Sequence, residues 1–346
     1  MGRVVLVAGV SRYLGGRFAR LLATDPQVSR VIGVDVVPPP HDLGEVEFVR
    51  ADIRNPVIAK VIDRAGVDTV VHMNVIATPI GAGGRVSMKE INVIGTMQLL
   101  AACQKSAGVQ RLVVKSTSGV YGSSPRDPAL FTEDSGAKVL PRSGWGKDSV
   151  EVEGYVRGFS RRRPDVEVAM LRLANVLGPG IRTALTDYFS LPVIPTVLGF
   201  DARLQFVHED DAIEALRLAT VGPVAGVVNV AGDGVLLLSQ ACRLAGRPTV
   251  GVPPALSGPV GQLIRRAGLA DFSPEQVRFL SFGRVVDTTR MRRVLGFEPA
   301  YTTRQTFEDF VTRRELAGPL SAERVGQVEQ LLAGLAGVPS MSGGTA

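Results

Sequence analysis

Cysteine is scarce in this chain, and so are histidine and tryptophan. Its 346 residues include two cysteines, Cys103 and Cys242, with three histidines and one tryptophan. Both cysteines lie in apolar segments with helical periodicity, so we expect neither a disulfide framework nor a bound metal. This composition is typical of a reducing compartment and predicts a cytoplasmic location.

Long hydrophobic runs are also missing. The apolar stretch 188–200 is broken by Pro192 and Pro195 and is shorter than the ~20 residues that a membrane-spanning helix needs. Residues 4–8 are too few for the hydrophobic region of a signal peptide and are needed as a first strand. We therefore expect a soluble chain with no membrane span and no leader.

Blocks of like charge are rare, although the net charge is +6. Three consecutive arginines, Arg161 to Arg163, follow a predicted helix and precede Pro164. Because cations stabilise helix C-termini, this run is interpreted as a solvated helix end rather than a nucleic-acid site. We expect a small-molecule partner and no nucleic acid.

The first fifty residues have the order strand, glycine turn, helix, strand. The apolar run Arg3–Ala8 leads into the turn Gly9–Gly16, and the second strand ends at Asp35. In a Rossmann unit, glycines let a dinucleotide pyrophosphate approach backbone N–H groups, and the carboxylate binds the adenosine ribose. The pattern predicts such a unit; the alternative is a βαβ unit whose glycines only form a turn.

The turn departs from the usual spacing at its centre. Gly9 and Gly15 hold the outer positions of G-x-x-G-x-x-G, but Arg12 stands in the middle. With a neighbouring serine, Arg12 could contact a 2′-phosphate and favour NADP, whereas Asp35 would repel that phosphate. We give more weight to Asp35 and predict NAD. The predicted cofactor residues of this unit are Gly9, Ser11, Arg12, Tyr13, Leu14, Gly15 and Asp35.

Strand-like and helix-like segments alternate through the first 180 residues, which predicts an α/β fold. The predicted strands are 46–49, 69–72, 112–116 and 166–173, and the longest predicted helices are 88–106 and 148–161. We expect a Rossmann-type doubly wound parallel sheet in residues 1–180. Residues 181–318 should form mainly a smaller C-terminal substrate lobe, with segments returning to the core, and 319–346 a helix at 320–335 and a disordered tail.

Five later segments carry motifs that resemble those of the extended short-chain dehydrogenase/reductase family. Within it they are similar to the NAD-dependent epimerase/dehydratase group, which includes UDP-galactose 4-epimerase, and the resemblance runs from residue 3 to about residue 315. The segments are Ala51–Arg54 (D-[IL]-R), Ile91–Thr96 (N-V-x-G-T), Val120–Gly122 (V-Y-G), Arg172–Pro179 (R-x-x-N-x-x-G-P) and Arg203–Asp211 (R-x-F-x-H-x-x-D).

The resemblance implies a hydride-transfer site made of a serine or threonine, a tyrosine and a lysine. In the family the tyrosinate takes a proton from a substrate hydroxyl while NAD⁺ takes the hydride, and the lysine lowers the pKa of the tyrosine. Thr117 falls at the serine/threonine position, and Lys147 falls at the lysine position. The further cofactor residues that the resemblance implies are Asp52, Ile53, Met73, Asn74, Val75, Asn92 and Lys147.

The tyrosine of this site is missing. Ser143 stands four residues before Lys147, and none of the five tyrosines is followed by lysine at the fourth place. A serine hydroxyl is a far weaker acid than a phenol of pKa ~10, and general acid–base catalysis contributes ~10²–10⁴ in rate. The H-x-A-A segment of the family is altered as well, to His72–Val75. Both departures lie near the expected reacting centre.

Several of these residues have structural alternatives. Thr117 can cap a turn at the end of its strand. Lys147 can be a solvated side chain, although a lysine is unfavourable in the first turn of a helix. Trp145 is interpreted as packing under the small lobe rather than stacking on a ligand. His208 is interpreted as a structural bridge between sheet and loop.

Three functions remain open. The first is an atypical NAD-dependent epimerase, dehydratase or reductase of a nucleotide-diphosphate sugar such as a UDP-sugar, in which Asn175 and Arg203 resemble substrate-binding positions. The second is a non-catalytic NAD(P)-binding scaffold or redox-sensing regulator, favoured by the missing tyrosine. The third is a dehydrogenase of a lipid or steroid alcohol, favoured by the apolar segment 188–200. We rank the first ahead, and the resemblance implies a homodimer formed through helices 88–106 and 148–161.

Overall fold

A computed structural model describes residues 2–75, 84–141, 144–223, 226–266 and 273–316. Ser143 and the predicted helix 320–335 therefore lie outside the described residues. The strands are β1 (Arg3–Ala8), β2 (Val28–Asp35), β3 (Glu47–Arg50), β4 (Thr69–His72), β5 (Arg111–Thr117), β6 (Glu167–Leu173), β7 (Asn175–Leu177), β8 (Ile194–Val197), β9 (Arg203–Leu204), β10 (Phe206–His208), β11 (Val227–Val230), β12 (Leu236–Leu237) and β13 (Thr249–Val252).

Helices connect most of these strands. They are α1 (Tyr13–Ala23), α2 (Val57–Ala65), α3 (Arg85–Lys89), α4 (Thr96–Lys105), α5 (Gly144–Arg162), α6 (Ala184–Phe189), α7 (Glu209–Val221), α8 (Leu238–Leu244), α9 (Pro254–Arg266), α10 (Pro274–Phe282), α11 (Thr289–Arg293) and α12 (Thr303–Arg313). A π-helical turn, Glu90–Gly95, joins α3 to α4, and a 3₁₀ turn, Ser118–Tyr121, follows β5.

The large sheet has seven strands in the order β11-β6-β5-β4-β1-β2-β3, and all neighbours are parallel. Chain order reverses between β1 and β4, and a crevice opens at the carboxyl ends of the strands where such a reversal occurs. This confirms the predicted doubly wound Rossmann-type sheet. The return of β11 to this sheet brings a segment from beyond residue 180 into the main core.

Apolar side chains of the sheet point alternately to two helical layers. Val5 and Val7 belong to a buried cluster that contains Phe18 of α1, whereas Leu6 belongs to a cluster that contains Leu99 of α4. This period of two within a strand is what burial on both faces requires. Each fully buried side chain of this kind contributes roughly 1.5–3 kcal/mol relative to its exposed state.

Two helix boundaries differ from the sequence prediction. The predicted helix 88–106 is interrupted by the π-helical turn, in which a Cβ on Gly95 would come 2.8 Å from the Cδ1 of Ile53. The helix predicted from residue 148 begins at Gly144, so Lys147 lies in its first turn. Gly144 and Gly146 have poor helix propensity, which is why the pattern placed the start too late.

The apolar segment 188–200 is partly buried in a third apolar cluster, separate from the two that cover the large sheet. Tyr188, Phe189, Leu191 and Ile194 are buried in a cluster with Phe307 of α12. The hydroxyl of Tyr188 donates to the carbonyl of Pro195 at 2.9 Å. These side chains therefore form part of a core that lies outside the seven-stranded sheet. None of the described helices is long and apolar enough to cross a membrane.

The helices expected to dock a second subunit bury part of their apolar surface within the chain itself. Leu99, Ala102 and Phe159 are buried within the chain, because α4 and α5 pack their apolar stripes on the sheet. The apolar side chains that remain exposed on these segments are Ile94, Met97 and Tyr155, at 45%, 45% and 38%. A partner subunit on this side would contact those three residues.

Candidate functional site

The glycine turn has the geometry that a close backbone approach requires. Gly9 has φ +104°, and a Cβ there would come 2.9 Å from the Oδ1 of Asn74. A Cβ on Gly15 would come 2.1 Å from the carbonyl oxygen of Gly9. Both positions therefore require glycine, which fits the diphosphate cradle of a dinucleotide.

Arg12, the residue that departs from the glycine pattern, does not distort the turn. It is the N-cap of α1 with φ −88° and ψ 146°, an extended conformation that any residue adopts. Burial lowers the pKa of its guanidinium, and the nearby carboxylate of Asp35 partly offsets this effect. The turn thus keeps its backbone shape while gaining a positive charge.

Asp35 is held at the end of β2 by two backbone N–H groups. Ser11 donates to Oδ2 at 3.0 Å, and Val36 donates to Oδ1 at 2.8 Å. The hydroxyl of Ser11 donates to the carbonyl of Val37. These bonds fix a carboxylate beside the glycine turn, the position from which ribose hydroxyls are bound in Rossmann folds.

The side chain of Tyr13 connects the turn to α7. Its hydroxyl donates to the Oε1 of Glu209 at 2.6 Å, and Arg17 binds the same oxygen at 2.8 Å. Gly180 permits this contact, since a Cβ there would come 2.0 Å from the Cζ of Tyr13. Burial and then Glu209 raise the pKa of the Tyr13 phenol. Leu14 packs partly buried against the main core.

The segment after β3 contains a carboxylate that is bound by an arginine, Asp52, and a side chain that is buried in the core, Ile53. Arg54 binds Asp52 through Nη2 to Oδ2 at 2.7 Å and through its backbone N–H to Oδ1 at 2.9 Å. The side-chain hydrogen bond from Arg54 holds the pKa of the Asp52 carboxyl below its usual value. Ile53 is 2% exposed and packs against the π-helical turn.

The end of β4 brings buried polar groups to the crevice. Asn74 is buried beside Gly9, while Met73 is buried in the main core cluster. His72 donates from Nε2 to the Oγ1 of Thr96 at 2.8 Å, because that hydroxyl already donates to the carbonyl of Asn92. Burial lowers the pKa of His72 to about 3, so its ring is neutral.

Asn92 of the N-V-x-G-T segment connects the π-helical turn to α5. It is fully buried, and its Nδ2 donates to the Oδ2 of Asp148 at 3.4 Å. The contact lies next to Lys147 in the chain. Asn92 therefore positions the first turn of α5.

Lys115 is a site residue that sequence reasoning missed. Its Nζ donates to the carbonyl of Val75 at 3.0 Å. Burial, together with the charge of Arg12, lowers its pKa from 10.5 to about 8. The signal was a single lysine that directly follows the apolar run Leu112–Val114 of β5. With Arg12, it gives the crevice between β1, β4 and β5 a positive charge.

Thr117 and Lys147 make other contacts in this structure. The Oγ1 of Thr117 accepts a hydrogen bond from the backbone N–H of Gly119 at 3.0 Å, so it caps the 3₁₀ turn. The side chain of Lys147 is 47% exposed, and its Nζ lies 3.9 Å from the Oε1 of Glu151. Both residues keep the positions that the family pattern gives them, at the end of β5 and in the first turn of α5.

Tyr121 of the V-Y-G turn is committed to the core. Its hydroxyl donates to the Oδ1 of Asn229 at 2.8 Å and accepts from Arg172 at 2.8 Å. Its ring stacks on Phe131 with centroids 4.7 Å apart. Burial raises the pKa of its phenol. Tyr121 therefore serves the architecture and cannot supply the missing acid.

A pocket of about 250 Å³ lies between the 3₁₀ turn, the start of α5 and helix α10. Asn175 lines it, as do Trp145, Glu275, Phe279 and Arg284. Trp145 rests on Gly119, where a Cβ would come 2.5 Å from the indole ring. Of the two predicted substrate residues, the structure thus places Asn175 in this pocket.

Arg203, the other predicted substrate residue, is exposed on β9 and is not among the residues that line the described pocket. Its backbone carbonyl accepts from the N–H of Arg284 at 3.0 Å. A Cβ on Gly283 would come 2.1 Å from the same carbonyl oxygen. The backbone of Arg203, rather than its side chain, therefore holds the segment that carries Arg284.

His208 acts as a structural bridge. Its Nδ1 accepts from the N–H of Asp210 at 3.2 Å, its Nε2 lies 3.2 Å from Asp309, and its ring stacks on Tyr301. Within the described ranges, no group of three or more His, Cys, Asp and Glu side chains is arranged to hold a metal ion. Cys103 and Cys242 are both buried.

Comparison with known proteins agrees with this geometry. The model of the NAD dependent epimerase/dehydratase family matches residues 5–231. An uncharacterized protein of Mycobacterium tuberculosis is 48% identical over 338 residues, which cover 96% of this chain and 90% of that protein. The chain therefore belongs to the NAD-dependent epimerase/dehydratase family, as its motifs predict.

Solved structures show the same fold. A UDP-glucose 4-epimerase of Thermotoga maritima, solved with UDP-glucose, aligns with a TM-score of 0.68 at 19% identity, covering 90% of this chain and 98% of that one. A dTDP-glucose 4,6-dehydratase of Bacillus anthracis, solved with NAD, aligns with a TM-score of 0.67 at 20% identity, covering 91% and 97%.

Proposed function

We propose that this protein is an NAD-dependent epimerase/dehydratase-type oxidoreductase that acts on a nucleotide-diphosphate sugar, with an active site that lacks the usual tyrosine. The observation that carries the proposal is the combination of a glycine turn that requires Gly9 and Gly15, the carboxylate of Asp35 fixed beside it, and a pocket lined by Gly119, whose backbone N–H binds Thr117. Membership of the family supports it, and so do the sugar-nucleotide enzymes with the same fold.

The cofactor proposed for the crevice is NAD. Its diphosphate would face the backbone N–H groups at the start of α1, and the positive charges of Arg12 and Lys115 would stabilise it. Asp35 would accept from the ribose hydroxyls, and a 2′-phosphate at the same place would be repelled. When bound, NAD supplies a hydride acceptor at a carbon of the sugar.

The pocket next to the 3₁₀ turn is proposed to receive the sugar. Asn175 offers an amide for hydroxyl groups, and Trp145 and Phe279 offer apolar ring surface. Thr117 is proposed to bind the reacting hydroxyl, which requires that its Oγ1 exchange the contact with Gly119. Lys147 is proposed to turn from Glu151 towards the cofactor ribose.

The first experiment follows absorbance at 340 nm after UDP-sugars and dTDP-sugars are added to protein supplied with NAD⁺. We expect an NADH band to grow with at least one sugar nucleotide. A flat trace with every sugar, in protein shown by calorimetry to bind NAD⁺, would contradict the proposed chemistry. Failure to bind NAD⁺ at millimolar concentration would contradict the cofactor assignment itself.

A second candidate function is a non-catalytic NAD-binding scaffold or redox-sensing regulator. Specific observations favour it: Ser143 stands at the tyrosine position, Thr117 caps a turn and Lys147 pairs with Glu151. Titrations with NAD⁺ and with NADH distinguish this candidate, since a redox sensor binds the two forms with different affinity and oxidises no sugar nucleotide. The lipid-alcohol alternative has less support, because Tyr188, Phe189, Leu191 and Ile194 are buried in an apolar cluster and none of them lines the described pocket.

Two further features complete the proposal. One is a homodimer formed through the face of Ile94, Met97 and Tyr155, and the other is a cytoplasmic location. These three side chains expose apolar area on neighbouring helical segments, as protein interfaces do. Sedimentation of the wild type and of Met97→Glu tests the dimer. We expect a charge at this position to shift the population to monomer.

A further inference from the structure

Arg284 carries a buried donor that the described part of the chain does not use. Its Nε donates to the carbonyl of Gly122 at 3.0 Å, and its Nη2 lies 3.4 Å from the Oγ of Ser123. Its Nη1 is buried and has no hydrogen-bond partner among the described residues. The guanidinium lies 5.1 Å from the centroid of the Phe279 ring. It is thus fixed on one side and unsatisfied on the other.

Arg284 has no carboxylate within ion-pair distance among the described residues. The carboxylates of Asp127 and of Glu275, which lines the same pocket, act on it from farther away and raise its pKa by less than burial lowers it. Asp127 instead accepts from the N–H of Ser124 at 2.6 Å and from its Oγ at 2.7 Å. Burial lowers the pKa of Arg284 to about 10. Arg172, a buried arginine of the same region, instead has the carboxylate of Glu153 at 2.7 Å. A buried charge without a partner is unfavourable unless a ligand supplies one.

The position of Arg284 identifies which part of a ligand could reach it. Arg284 lines the same pocket as Asn175 and Trp145, and its anchors Gly122 and Ser123 follow the 3₁₀ turn that begins after Thr117. The pocket, at about 250 Å³, is smaller than the ~300–1,000 Å³ of sites for drug-sized ligands. It suits one sugar ring rather than a whole sugar nucleotide, so Arg284 lies at the sugar end.

We propose that Arg284 selects a sugar nucleotide whose sugar carries a carboxylate, that is, a uronic acid. This inference rests on the proposed function and narrows its substrate class. A carboxylate satisfies the Nη1 donor and neutralises the guanidinium together, because the planar fork of arginine matches the two oxygens of a carboxylate. The hydroxymethyl group of a neutral hexose could accept a hydrogen bond but would leave the charge uncompensated.

Calorimetry with protein saturated with NAD⁺ tests the proposal, with UDP-glucuronate, UDP-glucose and UDP as the probes. We expect UDP-glucuronate to bind at least about tenfold tighter than UDP-glucose, the scale of a hydrogen bond between charged groups. UDP-glucose binding as tightly as UDP-glucuronate, or tighter, would overturn this inference and leave the proposed function standing. If neither sugar nucleotide binds more tightly than UDP, both fail.

Variants of Arg284 test whether this residue causes the preference for UDP-glucuronate over UDP-glucose. Arg284→Gln should bring the ratio of the two affinities close to one, and Arg284→Lys should keep part of it, because it retains a charge without the fork. Arg304→Gln is the matched control, since Arg304 is exposed and pairs with Glu308 within α12. An unchanged ratio in folded Arg284→Gln would contradict the assignment. The wild-type ratio decides the preference even if a variant does not fold.

Discussion

Arg172 binds Glu153 through two parallel hydrogen bonds, Nε to Oε1 at 2.9 Å and Nη2 to Oε2 at 2.7 Å, and both side chains are buried. Ser116 donates to the same carboxylate at 2.7 Å, and Arg172 also donates to Tyr121. The pair therefore joins β5, β6 and α5 with the V-Y-G turn. It supports the wall on which the pocket is built.

Breaking this pair should destabilise the fold strongly. Arg172→Met leaves the buried carboxylate of Glu153 with only the half-exposed Arg157 as an ionic partner, at 3.0 Å. Because most of the compensation is lost, the free energy of unfolding is expected to fall by up to about 3–5 kcal/mol. Urea denaturation measures the change. The double variant Arg172→Met/Glu153→Leu should be less destabilised than either single variant, and Arg304→Ala, at an exposed pair, should change stability by less than ~1 kcal/mol. Equal losses of stability at the buried Arg172–Glu153 pair and at the exposed pair of Arg304 would contradict the role of burial.

The glycine turn predicts a sharp contrast between two glycine substitutions. Gly15→Ala places a Cβ 2.1 Å from the carbonyl of Gly9, so the turn must move and NAD⁺ affinity should fall by tenfold or more. Gly154→Ala meets no atom within 4 Å in the middle of α5, so it should leave binding unchanged and stabilise the helix by roughly 0.5–1 kcal/mol. Calorimetric titration with NAD⁺ checks both. Wild-type affinity in Gly15→Ala would count against the cradle.

Lys115 predicts a pH dependence of stability. Its pKa is lowered to about 8 in the folded chain from an ordinary 10.5, so between these values the unfolded chain binds more protons. The free energy of unfolding therefore gains a contribution that rises with pH across this window, by up to ~1.4 kcal/mol per unit. Lys115→Met should lose that contribution. Urea denaturation of both proteins between pH 7 and pH 10 measures the difference, and parallel profiles would refute the burial of the ammonium group.

The missing tyrosine predicts a gain of activity. Ser143→Tyr restores the phenol four residues before Lys147, and any turnover of UDP-sugars should rise, within the ~10²–10⁴ range of general acid–base catalysis. NADH formation and sugar epimerisation measure the rate. Ser143→Ala is the control and should leave the wild-type rate nearly unchanged. A lower rate in Ser143→Tyr would show that the site has diverged to a substrate that the phenol obstructs.

Local sequence patterns were sufficient to predict the parallel sheet and the glycine turn of this protein. The apolar runs that became β1, β4 and β6 have a period and length that only a buried parallel sheet satisfies, and Gly9, Gly15 and Asp35 have spacings that depend on one turn. Local patterns are less informative about individual side chains. The sequence shows that Arg12 departs from the glycine spacing, but only the structure shows that its extended backbone conformation is one that any residue adopts.

Two charged residues of the site illustrate the same limit. A lysine within a strand pattern is most simply interpreted as solvated, and only the packed crevice brings Lys115 to the carbonyl of Val75. Likewise nothing in the segment around Arg284 indicates that its Nη1 is buried without an acceptor among the residues that the structure describes. Such properties arise from tertiary packing, which no window of neighbouring residues contains.

Trp145 has a spectroscopic consequence. It is the chain's one tryptophan, and its ring rests on Gly119 in the wall of the pocket. Indole emission from this protein therefore originates at a single place. A ligand that enters the pocket replaces water beside that ring, so the colour and intensity of the fluorescence report occupancy of the site without any label.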